Sequence, residues 1–336
     1  MDIKKYQPTD FPIELIGLLR EKYGNEKNVD YFIADFKKSF DFCLDNDSVI
    51  FQPIAGYQGD QMVAHIALII DKRLAPGEAF FGFLEISEDE QDFKMMWKAL
   101  KEEALRRKIS ILKGPINGSI WHQYRCVKET DGSPFFKSEL FAKPYYYQRL
   151  ISNNPASEMA YYSASRDRFE ALLPILQAGE PIYKKLDDAG FIIKEMEHIA
   201  QKELQAIAAL SRTVFHNSWG YTELTENEFM ALYSSDKVDE HFGGLYLLYK
   251  SDSIVGFCGT LKEDATTLIC KTICVLPEYQ GMGLGNALAY KIHVDAQERG
   301  IKKIIYALIR EGNNIKNFPQ VDTVIFRRYA SFEFHL

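Results

Sequence analysis

Val275-Leu-Pro277-Glu278-Tyr-Gln280-Gly281-Met282-Gly283-Leu284-Gly285-Asn286 is the most informative segment of the chain. An apolar run, Thr267 to Val275, leads into it as a strand and is ended by Pro277. After it, Leu284, Ala287, Leu288 and Ile292 fall on one helical face that stops at Gly300. The glycines therefore cluster where a strand has ended and a helix begins. Unpaired backbone N–H groups and the positive end of the helix dipole meet at such a point, which makes it an anion site. Glycine lets the backbone approach a phosphate with no Cβ in the way. The local pattern predicts a cradle for a phosphate or pyrophosphate.

Two familiar cradles fail on spacing. A Walker A loop needs Gly-Lys-Ser/Thr at its end, and Gly285 is followed by Asn286-Ala287. A dinucleotide fingerprint needs G-x-G-x-x-G; counted from Gly283 the last position is Leu288, and counted from Gly281 it is Asn286. The pattern that remains, Gln/Arg-x-x-Gly-x-Gly/Ala after a strand and a proline, is met by Gln280, Gly283 and Gly285. This resembles the GNAT acetyltransferase superfamily, in which the segment holds the pyrophosphate of acetyl-CoA.

The likeness extends along the chain. Lys271-Thr272, Tyr306-Ala-Leu308, Asn313-Asn314 and Arg327-Arg328-Tyr329 are similar to a bacterial group of tandem GNAT-like proteins of undefined acceptor. So are Gly114-Pro-Ile-Asn-Gly-Ser119, His122-Gln-Tyr-Arg125, Pro134-Phe-Phe136 and Tyr161-Tyr-Ser163 in the first half. The resemblance implies acetyl-CoA as cosubstrate, held at Gln280, Gly281, Met282, Gly283, Leu284, Gly285, Asn286 and Asn313. It also implies that main-chain groups of Ile273, Cys274 and Val275 pair with the pantetheine arm, where the fourth and fifth strands splay apart. The acceptor amine attacks the acetyl carbon directly, and His216 and Tyr221 stand where such domains build the acceptor pocket.

The proton carriers are less plainly marked. Many relatives place a tyrosine acid on a helix after the fifth strand, but Asn313 to Gln320 holds no tyrosine and contains Pro319. Tyr329 is the nearest substitute, and Glu278 is the candidate base acting through a water. Cys270 and Cys274, four apart on a strand, are expected to face one side and to pack. No His/Cys/Asp group has metal-ligand spacing, so no metal is expected.

The same order of elements occurs twice. In the first half, Ser48 to Ile54 and Met62 to Ile70 read as strands joined at Gly56-Tyr-Gln-Gly-Asp60, and Phe80 to Ile86 as a third. A helix with Phe93, Met96, Trp97, Leu100 and Ala104 on one face follows, then a short strand at Ile109 to Leu112. In the second half, Leu245 to Tyr249, Ile254 to Thr260, Thr267 to Val275, the glycine-headed helix and Lys303 to Leu308 repeat that order. The expected fold is two tandem GNAT-like α/β (α+β) domains, each a mixed, mostly antiparallel sheet flanked by helices. The boundaries drawn are 1–165 for the first domain, 166–190 for a linker and 191–336 for the second. Within the linker Asp167 to Ala178 reads as helix, broken by Gly179-Glu-Pro181. A single large α/β domain with a long insertion is the alternative organisation.

Where the second half has its cradle, the first has Ser87-Glu-Asp-Glu-Gln-Asp92. Carboxylates there favour the helix dipole and repel a pyrophosphate. The first half is therefore expected to be a degenerate copy that does not bind the coenzyme in the usual way, and that packs and closes one side of the acceptor site.

Totals narrow the rest. A 336-residue chain with 46% hydrophobic and 26% charged residues is ordinary globular protein, long enough for two cores. A net charge of -7 disfavours nucleic acid, and so counts against an aminoacyl-tRNA-dependent transferase of paired GNAT fold. Five cysteines without a CxxC pair argue against a disulfide framework. No apolar run approaches the ~20 residues that span a bilayer, so a soluble cytoplasmic protein without membrane partners is expected. The functional expectation is an N-acetyltransferase acting on a small-molecule or peptide amine, with a non-catalytic CoA-binding protein as the other reading.

Overall fold

The computed structural model describes residues 1–168, 173–233, 242–312 and 323–336. It divides into two compact units. The first is Met1–Tyr161 with Trp219–Thr222 and Arg327–Leu336; the second is Tyr162–Ser218 with Glu223–Phe326. In chain order the elements are β1 (Asp2–Lys5), α1 (Ile13–Tyr23), α2 (Val29–Asp45), β2 (Val49–Gln58), β3 (Gln61–Asp71), β4 (Glu78–Glu85) and α3 (Glu90–Arg106). Then come β5 (Ile111–Gly114), β6 (Cys126–Thr130), α4 (Tyr145–Ile151), β7 (Ser157–Arg166), α5 (Leu173–Tyr183), β8 (Phe191–Met196), α6 (Gln201–Phe215) and α7 (Glu226–Leu232). β9 (Phe242–Lys250), β10 (Ser253–Lys262), β11 (Thr267–Val275), α8 (Leu284–Glu298), β12 (Lys303–Arg310) and β13 (Val324–His335) complete the described chain.

In the first unit β1, β2, β3 and β4 pair antiparallel in sequence order, and β5 joins β4 in parallel after the α3 crossover. The core is largely aromatic because α2 repeats phenylalanine every fourth residue. Phe32, Phe36 and Phe40 form one buried stripe, with Phe36 edge-on to Phe83 at 5.1 Å and Phe40 edge-on to Phe51 at 4.8 Å.

The second unit repeats the plan. β8, β9, β10 and β11 are antiparallel, and β12 lies parallel beside β11 after α8. The apolar face of α8, Leu284, Ala287, Leu288 and Ile292, is buried against Leu248, Val255, Leu268 and Ile304. Each leucine or isoleucine buried in this way contributes roughly 1.5–3 kcal/mol. The duplicated α/β plan with mostly antiparallel sheets is as the sequence pattern indicated.

Three placements depart from the sequence boundaries. Of the residues assigned to a linker, 173–190 lie within the second unit, and α5 runs on through Gly179 and Pro181. Gly179 does not break it because it serves close packing; a Cβ there would collide with Tyr290 and the Asn286 carbonyl of α8. The end of β13 belongs to the first unit, where Phe332 pairs with Gly114 and Ala330 with Cys126. Trp219–Thr222 belongs to the first unit as well: Trp121 Nε1 donates to the Thr222 carbonyl at 2.9 Å, and Tyr221 sits edge-on to Trp121 at 6.0 Å.

Candidate functional site

The site begins with a fault in the β10–β11 ladder. Gly259 pairs with Thr272, but the next residue, Thr260, pairs with Cys270, so Lys271 is extra. A bulge of this kind bends a strand and tightens its twist. On the other side, parallel pairing with β12 runs from Thr267↔Lys303 only as far as Cys270↔Tyr306. Past that point β12 turns away, with Leu308 in the left-handed region at φ 57 and its N–H donated to Ser163 Oγ at 3.0 Å. The edge of Thr272–Val275 therefore pairs with no strand among the described residues.

The glycine loop lies at the end of that edge. One tight turn, Pro277–Tyr279, reverses the chain, and Gln280 Nε2 reaches back to the Val275 carbonyl at 3.0 Å. Gly281 and Gly283 take φ of 82° and 78°, conformations that cost an L side chain. Gly283 is the N-cap of α8 and offers no side chain to its first turn. The first turn-closing bonds are Asn286 N–H at 2.9 Å and Ala287 N–H at 3.1 Å, both to the Gly283 carbonyl. No acceptor among the described residues meets the N–H groups of Gly281, Met282, Gly283, Leu284 and Gly285. Five successive donors at a positive helix end are of the kind that suits an oxyanion.

The bulge also decides where the cysteines point. Leu268 and Cys270 pack in the α8 core, but past Lys271 it is Ile273 and Val275 that do so. One extra residue inverts the alternation, so Cys270 and Cys274 do not share a face as their four-residue spacing suggested. Burial pushes the Cys274 thiol up to about 12. Cys270 Sγ lies 3.8 Å from Cys258 Sγ instead.

The sequence reading did not find the polar chain at the splay. Tyr306, last of the β12 residues paired with β11, donates its hydroxyl to His293 Nε2 at 2.6 Å. His293 Nδ1 in turn donates to the Ala289 carbonyl at 2.6 Å, and Arg166 Nη1 reaches the Tyr306 oxygen at 3.2 Å. Burial pushes the His293 imidazole down to about 4, so it is neutral near pH 7. The only sequence signal was a histidine four residues after Ala289, on the buried side of α8.

The other expected site residues scatter. Glu278 is exposed in the turn before the loop, and Asn286 is half-buried in the first turn of α8. His216 is exposed at the end of α6 in the second unit, whereas Tyr221 lies in the first. Asn313 is outside the described residues. Tyr329 is 2% exposed in the first unit, where its hydroxyl donates to Glu139 at 2.7 Å. Glu139 is also bound by Arg327 Nη1 at 2.6 Å, so Tyr329 is part of a buried structural network and its geometry does not favour the role of acid.

The first unit has the same splay between β4 and β5, but its own chain fills it. Ile116 N–H donates to the Phe81 carbonyl at 2.8 Å, and Phe83 N–H donates to Asn117 Oδ1 at 2.6 Å. At the head of α3, the Asp89 carboxylate caps Gln91 N–H at 2.7 Å and Asp92 N–H at 3.0 Å. Among the described residues no group of three or more His, Cys, Asp and Glu could hold a metal, and no helix is long and apolar enough to cross a membrane.

Residues 204–317 match the acetyltransferase (GNAT) family model. Over 99 residues, 28% of the chain, the sequence is 28% identical to the [ribosomal protein bS18]-alanine N-acetyltransferase of Haemophilus influenzae; the match spans 65% of that relative's length, just under two thirds. Among solved structures, the fold resembles a tandem GNAT protein from the clavulanic acid biosynthesis pathway, with a TM-score of 0.60 at 11% identity over 99% of this chain and 98% of that one. It also resembles a GCN5-related N-acetyltransferase from Sphaerobacter thermophilus, with a TM-score of 0.53 at 10% identity over 99% and 95%. At these identities the structural likeness speaks to the fold.

Proposed function

We propose that this chain, a member of the GNAT superfamily, moves an acetyl group from acetyl-CoA to the amine of a small molecule or peptide. The observation that carries the reading is the run of five uncommitted amides from Gly281 to Gly285, placed at the end of an open strand edge. A diphosphate needs several N–H donors close together, and an amide-bearing pantetheine arm needs a strand edge to pair with. Both occur along one line of backbone, the open edge at Thr272–Val275 first and the amides of Gly281–Gly285 after it.

In the reaction the acceptor nitrogen forms a bond to the thioester carbonyl carbon and the C–S bond breaks, the thiolate leaving with the electron pair. A main-chain N–H on the Thr272–Val275 edge polarises the carbonyl oxygen as an oxyanion donor. The acceptor must first lose its ammonium proton, and exposed Glu278 receives it through water. A thiolate leaves readily, so the reading does not depend on Tyr329 as an acid.

Calorimetry with acetyl-CoA, followed by thiol detection against a panel of amines, tests the proposal. The curated relative named above acts on the alanine of a ribosomal protein, so a peptide with N-terminal alanine belongs in the panel. Binding with amine-dependent thiol release is the expected result. Binding without release for any amine would leave a CoA-binding protein that is not an enzyme, and no binding would remove the reading.

A further inference from the structure

Pro115–Asn117 and Gln123–Arg125 of the first unit form a short ladder. Arg125 N–H donates to the Pro115 carbonyl at 3.0 Å, Asn117 N–H donates to the Gln123 carbonyl at 2.9 Å, and Ile116 bridges Tyr124. Arg125 closes this ladder at φ 87, a region that a long side chain occupies only when its surroundings force it. It is 7% exposed. Its guanidinium carbon lies 3.6 Å from the centroid of the Tyr124 ring and 4.4 Å from that of Tyr161, two rings perpendicular to each other.

A guanidinium has five N–H donors. For Arg125 the described residues accept one, from Nη2 to the Tyr124 hydroxyl. Its Nε is sealed from solvent without an acceptor, and no carboxylate among the described residues stands within ion-pair distance. The other buried arginine of this unit is different: Arg327 has Glu139 at 2.6 Å. The remaining buried carboxylates of this unit are committed elsewhere, Asp71 to Arg73, Glu85 to Tyr146 and Tyr23, and Glu103 to Lys5, Arg106 and Arg107. A charge taken out of water needs a counter-charge or a full set of acceptors. Two tyrosine faces attract a cation but carry no net charge, so the compensation is incomplete.

We propose that Arg125 receives the oxyanion group, carboxylate or phosphate, of a small molecule bound by the first unit. The planar fork suits bidentate capture of either group, and the ladder with its two rings holds the fork in place before the ligand arrives. The site lies wholly in the first unit and stands whether or not the glycine loop of the second holds a coenzyme.

Thermal unfolding of the full chain, titrated with sodium phosphate, sodium acetate and, at matched ionic strength, sodium chloride, tests it. At least one oxyanion should raise the Tm saturably beyond chloride. Arg125→Met should abolish that rise, and should melt no lower than the wild type without anion because the uncompensated charge is gone. If that variant does not fold, Arg125→Lys, which keeps the charge and loses the fork, should weaken the titration about tenfold or more. Saturation by phosphate alone identifies a phosphorylated ligand, and by acetate alone a carboxylate. The assignment is overturned if neither oxyanion exceeds chloride, or if the variants titrate as the wild type does.

Discussion

Phe83 donates its backbone N–H to the side-chain oxygen of Asn117 at 2.6 Å, and with it Ile116 N–H reaches the Phe81 carbonyl. The strand edge that a pantetheine arm would use in the first unit is thus satisfied by the chain itself. A Cβ on Gly82 would collide with the Ile116 backbone, which shows how closely the plug is seated. Acetyl-CoA should accordingly bind with a stoichiometry of one per chain. Calorimetry that finds two equivalent sites would show that the plug is displaced.

Gly281 and Gly283 both need φ > 0 but differ in what surrounds them. A Cβ on Gly281 meets nothing within 4 Å, whereas one on Gly283 would collide with Ile182 of α5. Gly281→Ala should therefore cost only the left-handed backbone penalty, roughly 1 kcal/mol, while projecting a methyl into the cradle. Its affinity for CoA should fall about tenfold or more, equivalent to ~1.4 kcal/mol. Gly283→Val should lose stability as well as binding. Urea unfolding beside calorimetry separates the two, and equal affinity in Gly281→Ala and wild type would place the diphosphate elsewhere.

Burial raises the Glu85 carboxyl from 4.5 to about 7, even with Tyr23 and Tyr146 hydroxyls donating to it. Between those two pH values the folded chain holds the proton more tightly than the unfolded chain does. Stability linked to Glu85 is therefore full below about pH 4.5 and is lost as pH rises through 7. Glu85→Gln keeps an acceptor for both tyrosines and removes the titration. Relative to it, the wild type should lose roughly 3 kcal/mol between pH 4.5 and pH 8, read from urea midpoints across that range. Parallel profiles would mean that Glu85 stays ionised.

The five thiols should differ in reactivity. Burial pushes Cys43, Cys126 and Cys274 up; the contact between Cys258 and Cys270, with burial behind it, pushes Cys258 up and pulls the half-buried Cys270 down. Since the thiolate is the nucleophile, brief iodoacetamide treatment of the native chain at pH 7.5 should label Cys270 first. Peptide mapping that finds Cys274 labelled ahead of it would contradict the inverted alternation at Lys271.

Whatever depends on neighbours along the chain is written in the order of residues. The period of α8, the strand before Pro277 and the left-handed glycines at 281 and 283 follow from steric and hydrogen-bonding rules acting within a few residues. For that reason the glycine loop at the head of α8 and the repeated order of elements were legible in the sequence. Tertiary structure alone decided what depends on a distant partner. The extra residue at Lys271, which opens the strand edge and turns Cys274 away from Cys270, is a register shift against β10 and leaves no trace in the period. The pairing of Phe332 with Gly114, which commits the strand carrying Tyr329 to the first unit, joins residues more than two hundred positions apart. An apolar alternation shows that a strand will pair but not with which edge, because every edge offers the same backbone donors and acceptors. That no carboxylate among the described residues pairs with Arg125 likewise depends on the fold, which gives Glu139 to Arg327.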